Sequence, residues 1–283
     1  KIHKLTINAA FTCPNRDGTL GIGGCTFCNN ASFNNKTAAT LSIREQLENS
    51  KRGMRAKRYL SYFQTYTNTY AEVAELKRLY EEALTTSDIV GLCIGTRPDC
   101  VPDATLELLA AYQQQGYEVW LELGLQSSFN STLDKINRGH HFSAYVDAVT
   151  RARALDIKIC THLIVGLPGE SYGDSLTTLS RVLDIGCEGL KLHPLHIVKG
   201  SQMAKQWKNG EIQAISQQDY ANTAAKMIQH TPWDVVFHRV SATARKPTLL
   251  APEWCDNRWP VLNDIAKILI ETGAQGSALS SQQ

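Results

Sequence analysis

No stretch of this sequence approaches the ~18–20 uninterrupted apolar residues that a membrane helix needs, which excludes a helical membrane span. An excess of one charge is also missing. The 29 Lys and Arg nearly balance the 27 Asp and Glu, so the net charge of +2 argues neither for nor against nucleic acid. A disordered chain is excluded too, because 43% hydrophobic residues against 20% charged ones can bury a proper core. No internal repeat longer than a strand–helix unit is visible. The 283 residues suit one large α/β barrel-type domain, one domain with an appendage, or two small domains. The first residues, Lys1-Ile2-His3-Lys4, are neither an initiator Met nor a signal peptide, so further N-terminal residues are expected.

The eight cysteines are too sparse for a secreted disulfide scaffold. Three of them, Cys13, Cys25 and Cys28, fall within sixteen residues, whereas Cys93, Cys100, Cys160, Cys187 and Cys255 are scattered. In a chain without a secretion signal this clustering reads as metal binding in a reducing, cytoplasmic setting.

Six apolar runs read as strands: His3–Ala10, Tyr59–Gln64, Ile89–Gly95, Glu118–Leu125, Lys158–Gly166 and Gly189–Val198. From the second onward they begin about every 30–40 residues, the length of one βα unit. Helical periodicity lies between and after them, over Ile43–Lys57, Ala71–Thr86, Asp103–Gln115, Ser143–Leu155, Tyr172–Ile185 and Ser216–Thr231. Alternating βα units predict a parallel sheet, open or curled into a barrel, with its chemistry at the C-terminal strand ends. Residues 1–231 are read as the core. Residues 232–283 are read as a capping extension without its own core, holding a strand over Val235–Val240, a helix over Pro260–Thr272 and a frayed tail over Gly276–Gln283.

The loop from Phe11 to about Leu41 is far longer than an ordinary βα connection and holds all three clustered cysteines. Three thiolates without a fourth Cys or a His at zinc-ribbon spacing make a poor structural zinc site. Three cysteines on a [4Fe–4S] cluster would leave one iron open. On spacing alone, a redox dithiol at Cys25-Thr-Phe-Cys28 or three unrelated buried thiols also fits.

Each later strand ends in a polar motif with a plain structural reading beside the functional one. Tyr62-Phe-Gln-Thr-Tyr-Thr-Asn-Thr69 is an acceptor-rich tip or a turn before a helix. In Gly95-Thr-Arg-Pro-Asp99, Arg97 offers a carboxylate fork or a surface turn. Glu122, Gly124 and Gln126 alternate onto one strand face, so Glu122 points inward as a functional carboxylate or the partner of Arg97 in a buried ion pair. Gly166-Leu-Pro-Gly-Glu170 is a helix-entry turn. In Lys191-Leu-His-Pro-Leu-His196 the histidines read as core or ion-pair residues before metal ligands.

In their order, these motifs resemble those of the radical S-adenosylmethionine (SAM) enzymes from about His3 to Gly200. The resemblance is to the branch that includes the Elongator catalytic subunit, and within it to the YhcC family. Cys13-Pro-Asn-Arg-Asp-Gly…Gly-Gly-Cys25-Thr-Phe-Cys28-Asn carries it, with Phe27 as the aromatic before the last cysteine. The eleven-residue first gap departs from the superfamily's usual three.

The resemblance implies an α/β fold with a partial parallel (β/α)6 barrel. It also implies a [4Fe–4S] cluster on Cys13, Cys25 and Cys28, whose open iron chelates SAM before reductive cleavage to a 5′-deoxyadenosyl radical. Gln64, Tyr66 and Thr67 match the SAM-ammonium tip, without its usual glycines. Gln126 and Arg138 match the residues that hold the SAM ribose and carboxylate, with Arg97 and Glu122 nearby. His162, Gly166 and His193 fall on the strands around the adenosine, although His162 stands where relatives carry Asp. A one-electron donor such as flavodoxin or ferredoxin is expected.

The substrate is less legible. The Elongator-like relatives act on the tRNA wobble uridine, and Lys51-Arg52-Gly-Met-Arg55-Ala-Lys57-Arg58 sets five cations in eight residues. That run reads as a phosphate-neutralising patch or as the C-terminus of a solvated helix. Arg239–Trp259 adds basic and Trp residues that read as a stacking surface or as core. The chain carries neither the acetyltransferase domain of the Elongator subunit nor the extra N-terminal cysteine domain of tRNA methylthiotransferases. The preferred reading is modification of a tRNA wobble-uridine side chain; a small-molecule radical enzyme and a non-catalytic iron–sulfur protein are the alternatives. Cys255 is read as a buried hydrophobe, with hydrogen donation to a substrate radical as its functional alternative.

Overall fold

The structure, a computed structural model, describes residues 2–29 and 40–279. Residues 30–39 of the long loop and the last four residues of the tail lie outside the described residues.

In chain order the first elements are β1 (His3–Ile7), α1 (Ile43–Lys51), β2 (Tyr59–Phe63), α2 (Val73–Leu84), β3 (Ile89–Thr96), α3 (Asp103–Gln114) and β4 (Glu118–Gln126). They are followed by α4 (Asn130–Lys135), α5 (Phe142–Arg153), β5 (Lys158–Val165), α6 (Tyr172–Ile185), β6 (Gly189–Pro194) and β7 (Ile197–Val198). The last are α7 (Gln202–Lys208), α8 (Gln217–Gln229), β8 (Val236–Arg239), β9 (Leu249–Ala251) and α9 (Arg258–Thr272). The chain forms two compact units. One comprises Lys1–Gly23, Phe33–Gly124 and Ala144–Ile159; the other comprises Gly24–Ser32, Leu125–Ser143 and Cys160–Gln283.

In the first unit β1, β2, β3 and β4 pair in parallel in sequence order. Gly91 is required there, since a Cβ would lie 1.9 Å from the Glu118 carbonyl oxygen. Leu76 and Tyr80 of α2 are fully buried with Phe63, Leu92 and Ile94 of the strands. The Tyr80 ring meets Phe63 edge-on at 5.1 Å. Each such side chain contributes about 1.5–3 kcal/mol of transfer free energy. In the second unit β5, β6 and β8 pair in parallel. Leu133, Ile136, Ile164, Leu167, Leu195 and Met203 form one buried cluster there, with Phe27 packed against it.

The expected elements are present, with informative shifts. The helix anticipated over Ile43–Lys57 starts in a Ser42/Glu45 capping box but ends at Lys51, because Gly53 turns left-handed at φ +79°. The basic run therefore starts at the helix end, with Lys51 in the last turn and Arg52 as its C-cap, and continues as a loop leading into β2. Gly189–Val198 is two strands. Pro194 has no N–H for the ladder, and beyond it Ile197–Val198 pairs antiparallel with β9. The short helices α4 and α7 were not anticipated. The tail is not frayed as far as residue 279: the Gly276 and Ala278 amides donate to the Ile228 and Gln229 carbonyls. No helix among the described residues is long and apolar enough to cross a membrane.

Candidate functional site

The first unit contributes the tips of β2, β3 and β4 and the start of the cysteine loop. The Arg16 and Asp17 amides donate to the Cys13 carbonyl, and those of Leu20 and Gly21 to the Pro14 carbonyl, winding residues 13–21 into a tight turn that leaves Cys13 half-buried. Thr12 is tethered to the β2 tip by the Thr67 amide at 3.2 Å. At that tip Gln64 and Tyr66 are half-buried and Thr67 is buried. Tyr66 takes the left-handed conformation at φ +68°, which the superfamily's missing glycine would adopt without strain. Asn68 donates to the Gly95 carbonyl at 2.7 Å, and the Tyr80 hydroxyl donates to the Asn68 carbonyl. Two long-range bonds thus hold the tip in place.

Arg97 and Glu122 each have a partner of opposite charge within the first unit. Arg97 grips Asp99 with two parallel bonds, Nε to Oδ1 at 2.9 Å and Nη2 to Oδ2 at 2.8 Å. Beside them burial pushes the Cys100 thiol up to about 12. Glu122 is fully buried, and its carboxylate takes Lys4 Nζ of β1 at 2.5 Å. Lys4 also lies 5.5 Å from the Tyr62 ring centroid. The inward carboxylate was legible in the strand alternation. Its cation was not, because β1 lies 118 residues away and carried no signal of its own.

The second unit contributes Cys25 and Cys28. The Cys28 amide closes a turn on the Cys25 carbonyl at 2.9 Å. That turn is docked along the chain leaving α4: Thr26 donates to the Ile136 carbonyl, Asn137 Nδ2 to the Gly24 carbonyl, and Met203 to the Thr26 carbonyl. Arg138, buried at 7% exposure, directs Nη1 to Cys25 Sγ at 3.4 Å. All eight cysteines are free thiols. Within this unit Cys25 and Cys28, one of them bonded by a guanidinium, are the residue type that ligates an iron–sulfur cluster. Asn137 was missed by sequence reasoning; its φ of +48° is a conformation that Asn tolerates better than most residues.

Gln126, the last residue of β4, is left-handed at φ +79°. The turn after β5 is crowded: a Cβ on Gly166, at φ +90°, would lie 3.0 Å from Ile215 Cβ. It ends at Glu170, whose carboxylate accepts from the Ser127 hydroxyl and is pushed up by burial against that bond. A cavity of about 1150 Å³ opens between this turn and helices α8 and α9. His162 of β5 stands opposite Lys191 of β6 in register, and Ile164 opposite His193. His193 Nδ1 donates to the Pro194 carbonyl at 2.7 Å, and burial pushes the ring down to about 4. Cys255 is fully buried beside Tyr220, and burial carries its thiol far up, as expected of a buried hydrophobe.

Residues 12–182 match the Radical SAM superfamily, and residues 187–271 match the Radical_SAM C-terminal domain. Protein YhcC of Escherichia coli (strain K12) is 57% identical over 280 residues, which cover 99% of this chain and 91% of that protein. The tRNA uridine(34) acetyltransferase of Dehalococcoides mccartyi (strain CBDB1) is 31% identical over 138 residues, 46% of this chain and 29% of that enzyme. Archaeal Elp3 from Methanocaldococcus infernus superposes with a TM-score of 0.71 at 18% identity, over 97% of this chain and 64% of that one. That likeness bears out the expected α/β fold of partial-barrel, radical SAM type.

Proposed function

The chain belongs to the radical SAM superfamily, and we propose that it uses a [4Fe–4S] cluster held by Cys13, Cys25 and Cys28 to modify the side chain of a tRNA wobble uridine. The superfamily's cofactors are the [4Fe–4S] cluster and SAM, and the chain is an enzyme of that class. Cluster and SAM together supply, when bound, reductive cleavage of the sulfonium to methionine and a hydrogen-abstracting 5′-deoxyadenosyl radical.

The protein's part is to hold, aim and exclude water. Arg138 carries this reading: its guanidinium sits on Cys25 Sγ at 3.4 Å while its backbone amide is fixed by the Leu133 carbonyl at 2.8 Å. That sets one cation on the sulfur of a cluster cysteine, with further guanidinium donors for a SAM carboxylate. Gln64, Tyr66 and Thr67 offer acceptors for the SAM ammonium, and Gln126 for its ribose. Gly166 lets backbone approach the adenine, with His162 and His193 on the neighbouring strand positions. Arg97 and Glu122, already engaged by Asp99 and Lys4, act as positioning residues. An external one-electron donor of the flavodoxin or ferredoxin type completes the system, in a reducing cytoplasm that suits eight free thiols.

For the substrate, support comes from the similarity to tRNA uridine(34) acetyltransferase over part of the chain. The basic run lends less than its sequence promises. Arg52, Arg55, Lys57 and Arg58 are exposed, but they precede β2 at its N-terminal end, whereas Gln64, Tyr66 and Thr67 follow its C-terminal end. Five strand residues separate the two ends, roughly 17 Å. The run would meet RNA backbone well away from the reacting base.

Anaerobic reconstitution with iron and sulfide, then reduction with SAM, should yield 5′-deoxyadenosine. Cys13→Ala, Cys25→Ala and Cys28→Ala should each abolish cluster loading, and a full cluster in any one of them removes that ligand. Nucleosides of tRNA from a deletion strain should then lack a wobble-uridine modification. An unchanged profile sinks the tRNA reading and leaves the small-molecule alternative.

A further inference from the structure

The cysteine turn of the second unit is also gripped from the later part of that unit, at the end that carries Cys28. Strand β7 pairs with β9, and the Lys199 amide carries the pairing one residue further by donating to the Thr248 carbonyl at 2.8 Å. Gly200 then turns left-handed at φ +83°. Ser201 folds back, its amide and hydroxyl donating to the Val198 carbonyl at 3.2 and 2.8 Å. Its side-chain oxygen also caps α7, accepting from the Ala204 amide at 3.1 Å. Residues 198–204 thus form a tight, internally bonded turn anchored on a strand pair.

Two groups of this turn bond the cysteine segment. Met203 lies in the first turn of α7, where backbone amides lack helical acceptors, and its N–H takes the Thr26 carbonyl at 2.9 Å. The Lys199 carbonyl accepts from Nδ2 of Asn29, the residue directly after Cys28. Phe27, between Thr26 and Cys28, packs against the buried cluster that includes Leu195 and Met203. The Asn29 contact is closely fitted, since a Cβ on Gly200 would lie 3.0 Å from Asn29 Nδ2. At the other end Arg138 meets Cys25 and Asn137 meets the Gly24 carbonyl, so the turn is held on both sides of its cysteine pair.

We propose that Asn29 is a positioning residue for the cluster: its bond to the Lys199 carbonyl holds Cys28 in its ligating place and slows the loss of iron. Groups that orient a ligand without touching the metal commonly change metal affinity by about 10–100-fold. A half-buried neutral hydrogen bond belongs at the lower end of that range. The proposal rests on the reading of Cys28 as a cluster ligand and is independent of the substrate.

The anaerobically reconstituted full chain, challenged with bathophenanthroline disulfonate, should lose iron about tenfold faster as Asn29→Ala than as wild type. Asn29→Asp keeps the shape but has no N–H to donate, so it should lose iron at least as fast. Asn209→Ala removes an exposed amide bond to Glu211 and should keep the wild-type rate. Gly200→Ala should also accelerate release, and adding it to Asn29→Ala should bring no further acceleration, because both act through one bond. The EPR signal of the reduced cluster should shift in g values in Asn29→Asp, since a ligand sulfur has moved, while the melting temperature of the apo-protein matches wild type. Wild-type release and an unshifted signal in Asn29→Asp overturn the proposal, even where Asn29→Ala fails to fold. So does faster release that appears only together with a lower apo melting temperature. A wild-type chain that loads no cluster, or a Cys28→Ala chain that loads a full one, removes the ligand reading and this proposal with it; a cluster on wild type with unchanged release from both Asn29 variants sinks the proposal alone.

Discussion

The two compact units treat buried charge in opposite ways. In the first, each buried charged group named at the strand tips has its counter-ion from the same unit: Lys4 on Glu122 and Asp99 on Arg97. In the second, the half-buried Arg239 has no such partner among the described residues. A closed pair fixes geometry, and breaking it leaves a stranded charge. Open donors raise the free energy of the empty protein and lower it again when a ligand arrives. The first unit therefore holds its buried carboxylate as a fixed pair.

The largest expected effect tests the closed side. Lys4→Met should destabilise the protein by about 3–5 kcal/mol in chemical denaturation, because it removes the Lys4 partner of the fully buried Glu122 carboxylate. Lys4→Met with Glu122→Gln should recover much of that loss. A loss under ~1 kcal/mol in Lys4→Met, the range of surface pairs, would mean that the pair behaves as an exposed one.

Next comes acid sensitivity, which belongs to the open side. His193 and His196 are pushed down from 6.5 to about 4 and about 2 by burial, with Arg239 adding to both shifts. A ring held neutral in the folded state contributes no pH dependence above the unfolded value. As the pH falls below 6.5, the unfolded chain takes up protons that the folded chain refuses, and stability drops toward pH 4. His193 alone accounts for on the order of 3 kcal/mol of that drop. His193→Asn should flatten the melting-temperature profile between pH 6.5 and 4.

Smaller effects separate strain from packing. Gly166→Ala should cost about 1–3 kcal/mol, because the new methyl meets Ile215 in a backbone conformation that L-residues avoid. Restoration by Ile215→Ala would assign the cost to that contact rather than to φ. The smallest shift compares the two tips directly. Tyr66→Gly in the first unit and Gln126→Gly in the second should each relieve up to about 1–2 kcal/mol of left-handed strain. Both should nevertheless weaken SAM in a binding titration, and unchanged affinity would remove that side chain from the SAM site.

Much of this was legible in the sequence. Strand alternation marked Glu122 as inward, and the chain order of tip motifs led to the superfamily and its cofactors. Three helices were legible from periodicity alone, and the structure adds that Ser42, Ser171 and Ser216 cap them. Less legible was anything that depends on a distant partner or a left-handed residue. Lys4 carried no hint of Glu122, and Tyr66 gave no sign that it stands in for glycine. Short helices such as α4 have too few turns for periodicity to register.

The sequence by itself determined the element types, the parallel βα order and the identity of the thiols, because periodicity, capping and cysteine spacing act over a few residues. Only the tertiary structure decided that Lys4 reaches Glu122, that Arg138 rests on Cys25, and that the basic run lies at the wrong end of β2 for the strand-tip motifs. Those outcomes depend on the register of strands more than a hundred residues apart and on where the chain turns back. Neither leaves a local pattern, because desolvation and hydrogen bonding are settled by whichever groups the fold brings within about 3 Å of one another.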